Sequence, residues 1–567
     1  MKLRNFLSRV LAWTLVLALI VLGIAVLDSI GQTVYAVSRG GELQYWITSL
    51  AAGFGALTLG GRKLARSIDL MNDGGVAGRM LVPLAAVFVL FVFLISVSAI
   101  SHAIVWNWQP TGWQLYSKAL NLNHPASCYQ IFLSFLICFL LAACIGRNTT
   151  LLNRTTSQPL YSARLIRSYL GASNPERCKK ENMLILEPID GDDIEWGKYR
   201  PQDAGGPLHI VNVTLNETLH ARSGIENRTR KGELMAIGPC GISVGREHHA
   251  LFEKKVLSET TWEYKDNRVR PSIGQREKDD KKRKFHLFVT DHINPSSEKC
   301  IETESLTLGQ WVGISGAAVS TGMGNRTSLF TSILLGLFNV RLGYWWNSGI
   351  SPSTRPHRTP ERWGRKMGRV FSWLQPVYGG LIDEILARFH GANRKRWYLS
   401  DGGHFENLGG YELIRRRLPL IIIVDAECDP EYQFQGLGTL IRQARIDLGA
   451  EIQFLSQKDL TNISPRLPAK NWLGALNDLK RQSQFSTAHA AIAQVYYDGV
   501  EAPGSILLYI KPTLIGNEPA DVLHYHSENP QFPQQTTADQ FFDEAQWESY
   551  RKLGELIGFR LFGKDLV

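Results

Sequence analysis

The sequence predicts an α/β protein in which transmembrane helices precede a soluble domain with a mainly parallel sheet. Long apolar runs fill the first 146 residues, and charged residues return from about Leu151 onward. A strand, a loop, a helix and a second strand then follow one another between Trp397 and Val424. A chain of 567 residues is also too long for one core. We therefore expect a membrane domain over 1–150 and an α/β domain over 151–567.

The membrane domain is predicted to contain four transmembrane helices, because each apolar run approaches or exceeds the roughly twenty residues needed to cross the hydrocarbon. Lys and Arg lie mostly on one side of this arrangement, which predicts that both termini and the large domain are cytoplasmic in an inner-membrane protein. The second run is the weakest, and as a re-entrant or buried helix it would place the large domain outside. The four runs are 10–27, 45–61, 80–106 and 128–146.

Membrane lipids are the expected partners, although the basic composition by itself does not choose between lipid headgroups and nucleic acid. The net charge of +10 attracts anionic groups, but much of the excess lies in the loops predicted to face the cytoplasm. Nucleic-acid binding is therefore not expected. The seven cysteines are scattered and resemble neither a disulfide framework nor a metal knuckle, which indicates reduced thiols. No phosphate-binding or dinucleotide motif is present, so no cofactor is expected, and the oligomeric state stays open.

The soluble domain begins with apolar runs that predict strands, and the Thr307–Gln310 pair forms a capping box that predicts a helix from about Leu308. Two segments, 276–284 and 351–369, are charged or rich in Pro and Arg, and predict loops. The apolar run 420–424 is typical of a strand buried on both faces. Strands are predicted at 209–215, 233–237, 397–399, 420–424 and 451–454, and helices at 246–256, 408–417 and 437–448.

Asp401 is the first candidate catalytic residue, because it ends a predicted strand and is followed by Gly402 and Gly403. Functional groups of parallel sheets lie at the carboxyl ends of strands. Two glycines allow a sharp turn and a close approach of substrate. Asp401 could then act as general base toward a hydroxyl nucleophile. The alternative is that Asp401 only caps the turn, since Asp-Gly is a common turn dipeptide.

Two serines are candidate nucleophiles. Ser243 lies in Gly-Ile-Ser-Val-Gly, a literal nucleophile-elbow pattern, although Pro239 and Cys240 separate it from the preceding strand. Ser315 lies in Gly-Ile-Ser-Gly-Ala, within or at the end of the helix predicted from Leu308. A third possibility is that this chain has no nucleophile, and that a partner chain supplies that region.

A metal site is not expected. Asp425, Glu427 and Asp429 alternate and could bind a hard cation through oxygen atoms, but loop carboxylates that cap turns are the simpler interpretation. His404 and Glu406 have the His-x-Glu spacing of zinc deaminases, yet no Pro-Cys-x-x-Cys follows.

The segments SDGGHFENLGGYELIRRR (400–417) and RLPLIIIVDAECDP (417–430) resemble the C-terminal half of bacterial membrane-anchored patatin-like phospholipases. Segments 208–216, 306–324 and 337–347 also resemble this family, so the resemblance covers roughly 158–460. It implies a three-layer α/β/α fold and a Ser–Asp dyad that cleaves acyl esters of lipids without a metal. Asp401 matches the aspartate of that dyad.

The sequence departs from the family in its oxyanion loop. No Gly-Gly-Gly-x-Arg is present, and the nearest segment, Gly205-Gly206-Pro207, ends in a residue without an N–H group. Two functions stay open. The first is a membrane-anchored lipid acyl hydrolase, and the second is an inactive or truncated membrane protein that binds lipid or a partner.

Overall fold

The computed structural model describes residues 21–35, 75–105, 128–179, 189–219, 229–245, 248–256, 262–273, 301–349, 375–463, 472–536 and 542–563. In the N-terminal part, the described residues form three helices: α1 (Val21–Tyr35), α2 (Gly75–Val105) and α3 (Cys128–Arg147). Helices α2 and α3 coincide with the third and fourth predicted membrane segments, and α1 overlaps the end of the first. The second segment, 45–61, lies outside the described residues.

Helix α2 is the one helix, among the described residues, that is long and apolar enough to cross a bilayer. Its apolar stretch is Val87–Ile104, of which only 6% is buried within the protein. The apolar parts of α1 and α3 are shorter. A membrane domain with four spans therefore stays a prediction.

Further helices and strands follow in the described residues. The helices are α4 (Thr150–Arg154), α5 (Gln158–Leu165), α6 (Glu176–Lys179), α7 (Leu308–Ser315), α8 (Leu329–Leu337), α9 (Pro376–Ile385), α10 (Gly410–Arg415), α11 (Gln435–Leu448), α12 (Gln457–Ile463), α13 (Ala520–Glu528) and α14 (Glu544–Phe562). The strands are β1 (Val211–Asn216), β2 (Gly232–Gly238), β3 (Gly241–Val244), β4 (His248–Val256), β5 (Trp262–Ile273), β6 (Ile301–Glu302), β7 (Tyr344–Asn347), β8 (Arg396–Asp401), β9 (Leu420–Val424), β10 (Ala450–Phe454), β11 (Leu473–Gly474), β12 (Ala490–Tyr497) and β13 (Ser505–Ile510).

The first sheet has eight strands among the described residues, in the order β6-β5-β4-β3-β2-β1-β8-β7. Every described pairing in it is antiparallel, so the prediction of a mainly parallel sheet is wrong. The reason is visible at β2 and β3, which are joined by Pro239 and Cys240 alone. A two-residue connection permits a hairpin but not a parallel crossover.

The second sheet has the order β10-β12-β13-β9, and β11 pairs with β12. Strand β9 is parallel to β13, whereas β10, β12 and β13 are antiparallel neighbours. The chain therefore leaves the first sheet after β8 and enters the second at β9. The predicted strand–helix–strand unit exists locally, but its two strands belong to different sheets. One sheet between two helical layers, which the resemblance implied, is thus replaced by two sheets.

Strand β9 is buried on one face only, which corrects the prediction of burial on both. Ile421 and Ile423 are buried, whereas Leu420, Ile422 and Val424 are 58%, 44% and 63% exposed. Strand β9 lies at the end of its sheet, where one face is covered by helices.

Helices cover both sheets. Val213, Trp311 and Ile314 belong to a core between the first sheet and α7. A second core joins Leu234 of the first sheet to α10, α11 and the inner face of the second sheet. A third core packs α13 and α14 against the other face of β12 and β13. Helices α10 and α11 therefore lie between the two sheets.

Several local predictions are confirmed. Four predicted strands and two predicted helices are present with small shifts of their ends. The strands are those at 209–215, 233–237, 397–399 and 451–454, and the helices are those at 408–417 and 437–448. Thr307 and Gln310 form the predicted capping box at the start of α7. The helix predicted at 246–256 is wrong, because the described residues 248–256 form β4, which pairs with β3 and β5. The loops predicted at 276–284 and 351–369 lie outside the described residues.

Candidate active site

Asp401 is the last residue of β8, as the sequence predicts. Its register partner on β1 is Val213, and register partners project from the same face of a sheet. Val213 packs in the core with α7, so Asp401 also lies on the α7 side. The Gly403 N–H donates to Asp401 Oδ1 at 2.7 Å, which means that Asp401 does cap its own turn. Burial nevertheless raises the pKa of Asp401 to about 6, against the lowering effect of that hydrogen bond.

The two glycines after Asp401 are required by close neighbours. A Cβ atom on Gly402 would lie 2.6 Å from the carbonyl oxygen of Asn212 on β1. A Cβ atom on Gly403 would collide with the Asn407 side chain. The turn can therefore hold Asp401 against β1 only because both positions lack a side chain.

Ser315 is the last residue of α7. Its Oγ donates to the carbonyl oxygen of Asn212 at 2.8 Å. The same carbonyl lies against Gly402, the residue that follows Asp401. The structure thus brings Ser315 and the Asp401 turn to one point on β1. In this conformation the single hydroxyl proton of Ser315 is directed to Asn212, while Asp401 accepts from Gly403.

Tyr161 on α5 is the third group at this point, and no sequence pattern points to it. A Cβ atom on Gly316 would lie 2.7 Å from the Tyr161 hydroxyl, so that hydroxyl directly adjoins the residue after Ser315. Burial, and then the negative charge of Asp401, raise the pKa of Tyr161. The phenol is therefore a neutral hydrogen-bond donor at physiological pH.

His404 fixes the Asp401 turn to the segment that follows Ser315. Its Nε2 lies 3.0 Å from the carbonyl oxygen of Ala318, and its Nδ1 lies 2.9 Å from Ser400 Oγ. Burial lowers the pKa of His404 to about 4, so the ring is neutral. Nε2–H must then donate to Ala318, and Nδ1 accepts from Ser400, which in turn accepts from Asn216 at 2.8 Å. This chain of hydrogen bonds positions the Gly316–Ala318 segment beside Asp401.

Ser243 cannot be the partner of Asp401. It lies in the middle of β3, in extended conformation, rather than on a turn between strand and helix. Its cross-strand neighbours are Ala236 and then Asn212, so it projects from the face opposite Val213 and Asp401. Three strand spacings also separate β3 from β8, which corresponds to about 14 Å.

Ser243 contacts His249 and Arg415 instead. His249 Nδ1 lies 3.0 Å from Ser243 Oγ, and Arg415 Nη2 donates to that oxygen at 3.2 Å. The sequence indicates only a surface position for His249. A cation within hydrogen-bond distance of the serine disfavours formation of the imidazolium that a serine–histidine pair would need.

A cleft of about 490 Å³ opens on the face opposite Asp401. Asn212 joins it to the candidate site, because its carbonyl accepts from Ser315 while its side chain lines the cleft. The Asn212 Oδ1 atom is buried without a hydrogen-bond partner. The other lining residues are Tyr199, Pro201, Pro207, Leu208, His209, Ile210, Gly409, Glu412 and Leu413.

The carboxylates after β9 form an internal ion pair rather than a cation site. Asp425 and Lys511 are fully buried, and Lys511 Nζ lies 3.1 Å from Asp425 and 3.7 Å from Asp429. The lysine ammonium therefore occupies the position that a cation would take. No group of three or more potential metal ligands occurs in the part of the chain that the structure describes.

The backbone after Ser315 offers little to an oxyanion. The N–H groups of Gly316, Ala317 and Ala318 donate to the carbonyl oxygens of Val312, Ile314 and Gly316. Ser315 also lies at the carboxyl end of its helix, where the helix dipole does not favour negative charge. These three N–H groups are therefore already engaged and are not free to bind an oxyanion.

Comparison of the chain with protein-family models, with curated proteins and with solved structures finds no match.

Proposed function

We propose that the protein is a membrane-anchored acyl-ester hydrolase of patatin-like type, with Ser315 as nucleophile and Asp401 as general base. The observation that carries this proposal is the meeting of Ser315 Oγ and the Asp401 turn at the Asn212 carbonyl, with the Tyr161 hydroxyl next to them. A hydroxyl, a base of raised pKa and a neutral donor are the groups that acyl transfer requires.

The reaction begins when the Ser315 side chain rotates from Asn212 toward Asp401. The serine oxygen attacks the acyl carbonyl while its proton passes to the carboxylate. Collapse of the tetrahedral intermediate breaks the ester bond, and Asp401 returns the proton to the departing alcohol. Water then attacks the acyl-serine in the same way and releases the carboxylic acid, which regenerates Ser315.

The raised pKa of Asp401 suits this role. A carboxylate with a pKa of about 6 is still mostly ionised at neutral pH, yet it accepts a proton more readily than an ordinary aspartate. Tyr161 is the side-chain donor available to the oxyanion, because the neighbouring backbone N–H groups are already engaged.

The substrate class rests on two further points. The residues around Asp401 resemble a family that hydrolyses lipid esters, and α2 carries an apolar stretch able to enter a bilayer. Membrane lipids are therefore the proposed substrates.

The test is covalent labelling of the detergent-purified full chain with a fluorophosphonate, followed by identification of the labelled peptide. We expect labelling at Ser315 and its loss in Ser315→Ala. We expect strongly reduced labelling in Asp401→Asn, because the nucleophile loses its base.

Removal of one oxyanion donor typically lowers kcat by about 10²–10³. Tyr161→Phe should therefore lower the rate of lipid-ester hydrolysis by about that factor.

Ser243→Ala is the matched control, because Ser243 is also hydrogen-bonded and partly exposed but lies on the other face. It should label like the unaltered chain. Labelling that survives in Ser315→Ala and disappears in Ser243→Ala would transfer the nucleophile to the Ser243–His249 pair and refute this proposal.

A second candidate function is non-catalytic binding of lipid or of a partner chain. It is favoured by the hydrogen bond that directs the Ser315 proton to Asn212 rather than to Asp401. Absence of both labelling and ester hydrolysis in a folded, lipid-reconstituted chain would support it.

A further inference from the structure

Helix α8 is a short and wholly uncharged helix in the middle of the α/β domain. Its sequence is LFTSILLGL, and the side chain of Ser328 caps its first turn by accepting from the Thr331 N–H. An apolar helix of this length is too short to span a bilayer, but it fits a helix that is buried in a core or enters the membrane partway.

The partner of α8 distinguishes these two cases. Ile333 and Leu334 form a hydrophobic cluster with Val89 and Leu90 of α2. Val89 and Leu90 are the third and fourth residues of the apolar stretch Val87–Ile104. Helix α8 therefore contacts α2 inside the segment that would lie in hydrocarbon, near the end from which α2 enters it.

The first turn of α8, one turn before Ile333 and Leu334 on the same side of the helix, is apolar and open. Leu329 and Phe330 are 44% and 38% exposed. On α2, the neighbouring Val87 and Phe88 are 57% and 61% exposed. A bilayer deep enough to cover Val87 and Phe88 would thus also reach the level of α8.

Helix α9 extends the same surface. Ile385 packs in the cluster with α8, and Ile382 and Leu386 are 43% and 42% exposed. The acidic residues of α9 are turned inward: Glu384 is paired with Arg341, and Asp383 lies near Arg388, His390 and Arg394. The outer side of α9 therefore presents apolar groups without exposing its carboxylates.

We propose that α8 and the outer side of α9 are embedded in one leaflet of the bilayer, so that the α/β domain is partly sunk into the membrane rather than only tethered to it. The occupant of this surface is lipid acyl chains. The proposal requires that α2 crosses the bilayer, and it is independent of whether Ser315 is catalytic.

The test uses nitroxide spin labels on the full chain in liposomes of phosphatidylcholine and phosphatidylglycerol. Single cysteines are introduced as Phe330→Cys and Leu386→Cys in a background in which the seven native cysteines are replaced. Collision rates with molecular oxygen, which concentrates in hydrocarbon, are compared with those of a water-soluble nickel chelate. We expect oxygen to dominate at both positions.

Ile506→Cys is the matched control, because Ile506 is an apolar residue of similar exposure, 49%, on β13. The nickel chelate should dominate there. Chelate dominance at both 330 and 386 would overturn the proposal. Low collision rates with both reagents would instead indicate that protein, such as a second copy, covers the surface, and would overturn it equally. Repeating the measurement in Ser315→Ala should change nothing, which separates this result from the fate of the hydrolase proposal.

Discussion

At the residue scale, Asp401 combines a structural and an ionisable role. The same carboxylate caps a turn and is buried beside β1, so its charged form is disfavoured. A carboxyl group whose pKa is higher in the folded than in the unfolded chain binds its proton more tightly when folded. The stability that the protonated Asp401 contributes is therefore fully present below the pKa of the unfolded chain. It is lost as the pH rises through the pKa of the folded chain.

This pH dependence leads to a stability prediction for Asp401→Asn. The asparagine side chain is neutral at every pH, so it does not lose stability as the pH rises. The pKa of Asp401 is raised from 3.8 to about 6, and each unit corresponds to about 1.4 kcal/mol. Because the group is partly accessible, we expect Asp401→Asn to increase the free energy of unfolding by about 2 kcal/mol at pH 8. At pH 3, below the unfolded pKa, the gain should vanish. Urea unfolding of detergent-solubilised chain at the two pH values measures this, and an equal effect at both would contradict the burial argument.

A second residue-scale prediction concerns Gly324, which has φ +53° and whose added Cβ would collide with the His404 carbonyl. Gly324→Ala should lower the free energy of unfolding by about 1–3 kcal/mol, because left-handed strain and a backbone clash act together. Gly554→Ala in α14 is the control, since nothing lies within 4 Å of its added Cβ. That change should stabilise by about 0.5–1 kcal/mol, as expected in a helix interior. Thermal unfolding of both variants gives the comparison, and a stable Gly324→Ala protein would show that the turn beside His404 can relax.

The sequence predicted part of the candidate site and missed part of it. Asp401 and its glycines were found because a strand end followed by Asp-Gly-Gly is a local pattern. The choice between Ser243 and Ser315 could not be made, because it depends on which face of the sheet each occupies. Tyr161 could not be found at all, since only tertiary packing brings α5 to the end of β8.

At the element scale, local signals were reliable and pairing was not. The capping box of Thr307 and Gln310 fixed the start of α7, and apolar runs located most strands. The alternation of strand and helix around Asp401 suggested a parallel unit, but nothing in 397–424 specifies that β8 pairs with β1 and β7 while β9 pairs with β13. Strand partners are set by distant hairpins and by the cores that they build.

The junction of α9, β7 and the segment after α7 gives an element-scale prediction. Glu384 is almost fully buried and accepts hydrogen bonds from Arg341, from Trp345 Nε1 at 2.7 Å and from Thr321 Oγ1 at 3.1 Å. Arg341→Met would leave this carboxylate without its cation, which typically costs about 3–5 kcal/mol. We expect a correspondingly large loss in the free energy of unfolding, measured by urea denaturation.

Arg551→Met is the control for that experiment. Arg551 also pairs with a glutamate, Glu548, but both side chains are about half exposed on α14. Exposed pairs contribute about 0–1 kcal/mol, so this variant should unfold close to the unaltered chain. Similar losses in both variants would mean that the Arg341 pair is as well solvated as the surface pair.

At the scale of the whole molecule, the sequence predicts a membrane part followed by an α/β part. It predicts no contact between these two parts. The packing of α8 against α2, and of Gly146 of α3 against Gln375 and Tyr378, joins them into one body. The amino-acid composition does not reveal this contact, because an apolar helix has the same composition whether protein or lipid surrounds it. In the arrangement that we propose, α8 and α9 orient the described domain relative to the bilayer, together with the connection through α4.

The position of β9 has a consequence for synthesis of the chain. Its parallel neighbour β13 comes from residues 505–510, so during translation β9 leaves the ribosome long before the strand that will flank it exists. Until then its backbone has no partner on that edge, and Ile421 and Ile423 lack the part of their core that Leu507 and Tyr509 of β13 supply. Strands paired over such separations form late. A message truncated before Ser505 would accordingly yield a polypeptide with an orphan apolar strand, a substrate for chaperones or proteases rather than a smaller folded protein.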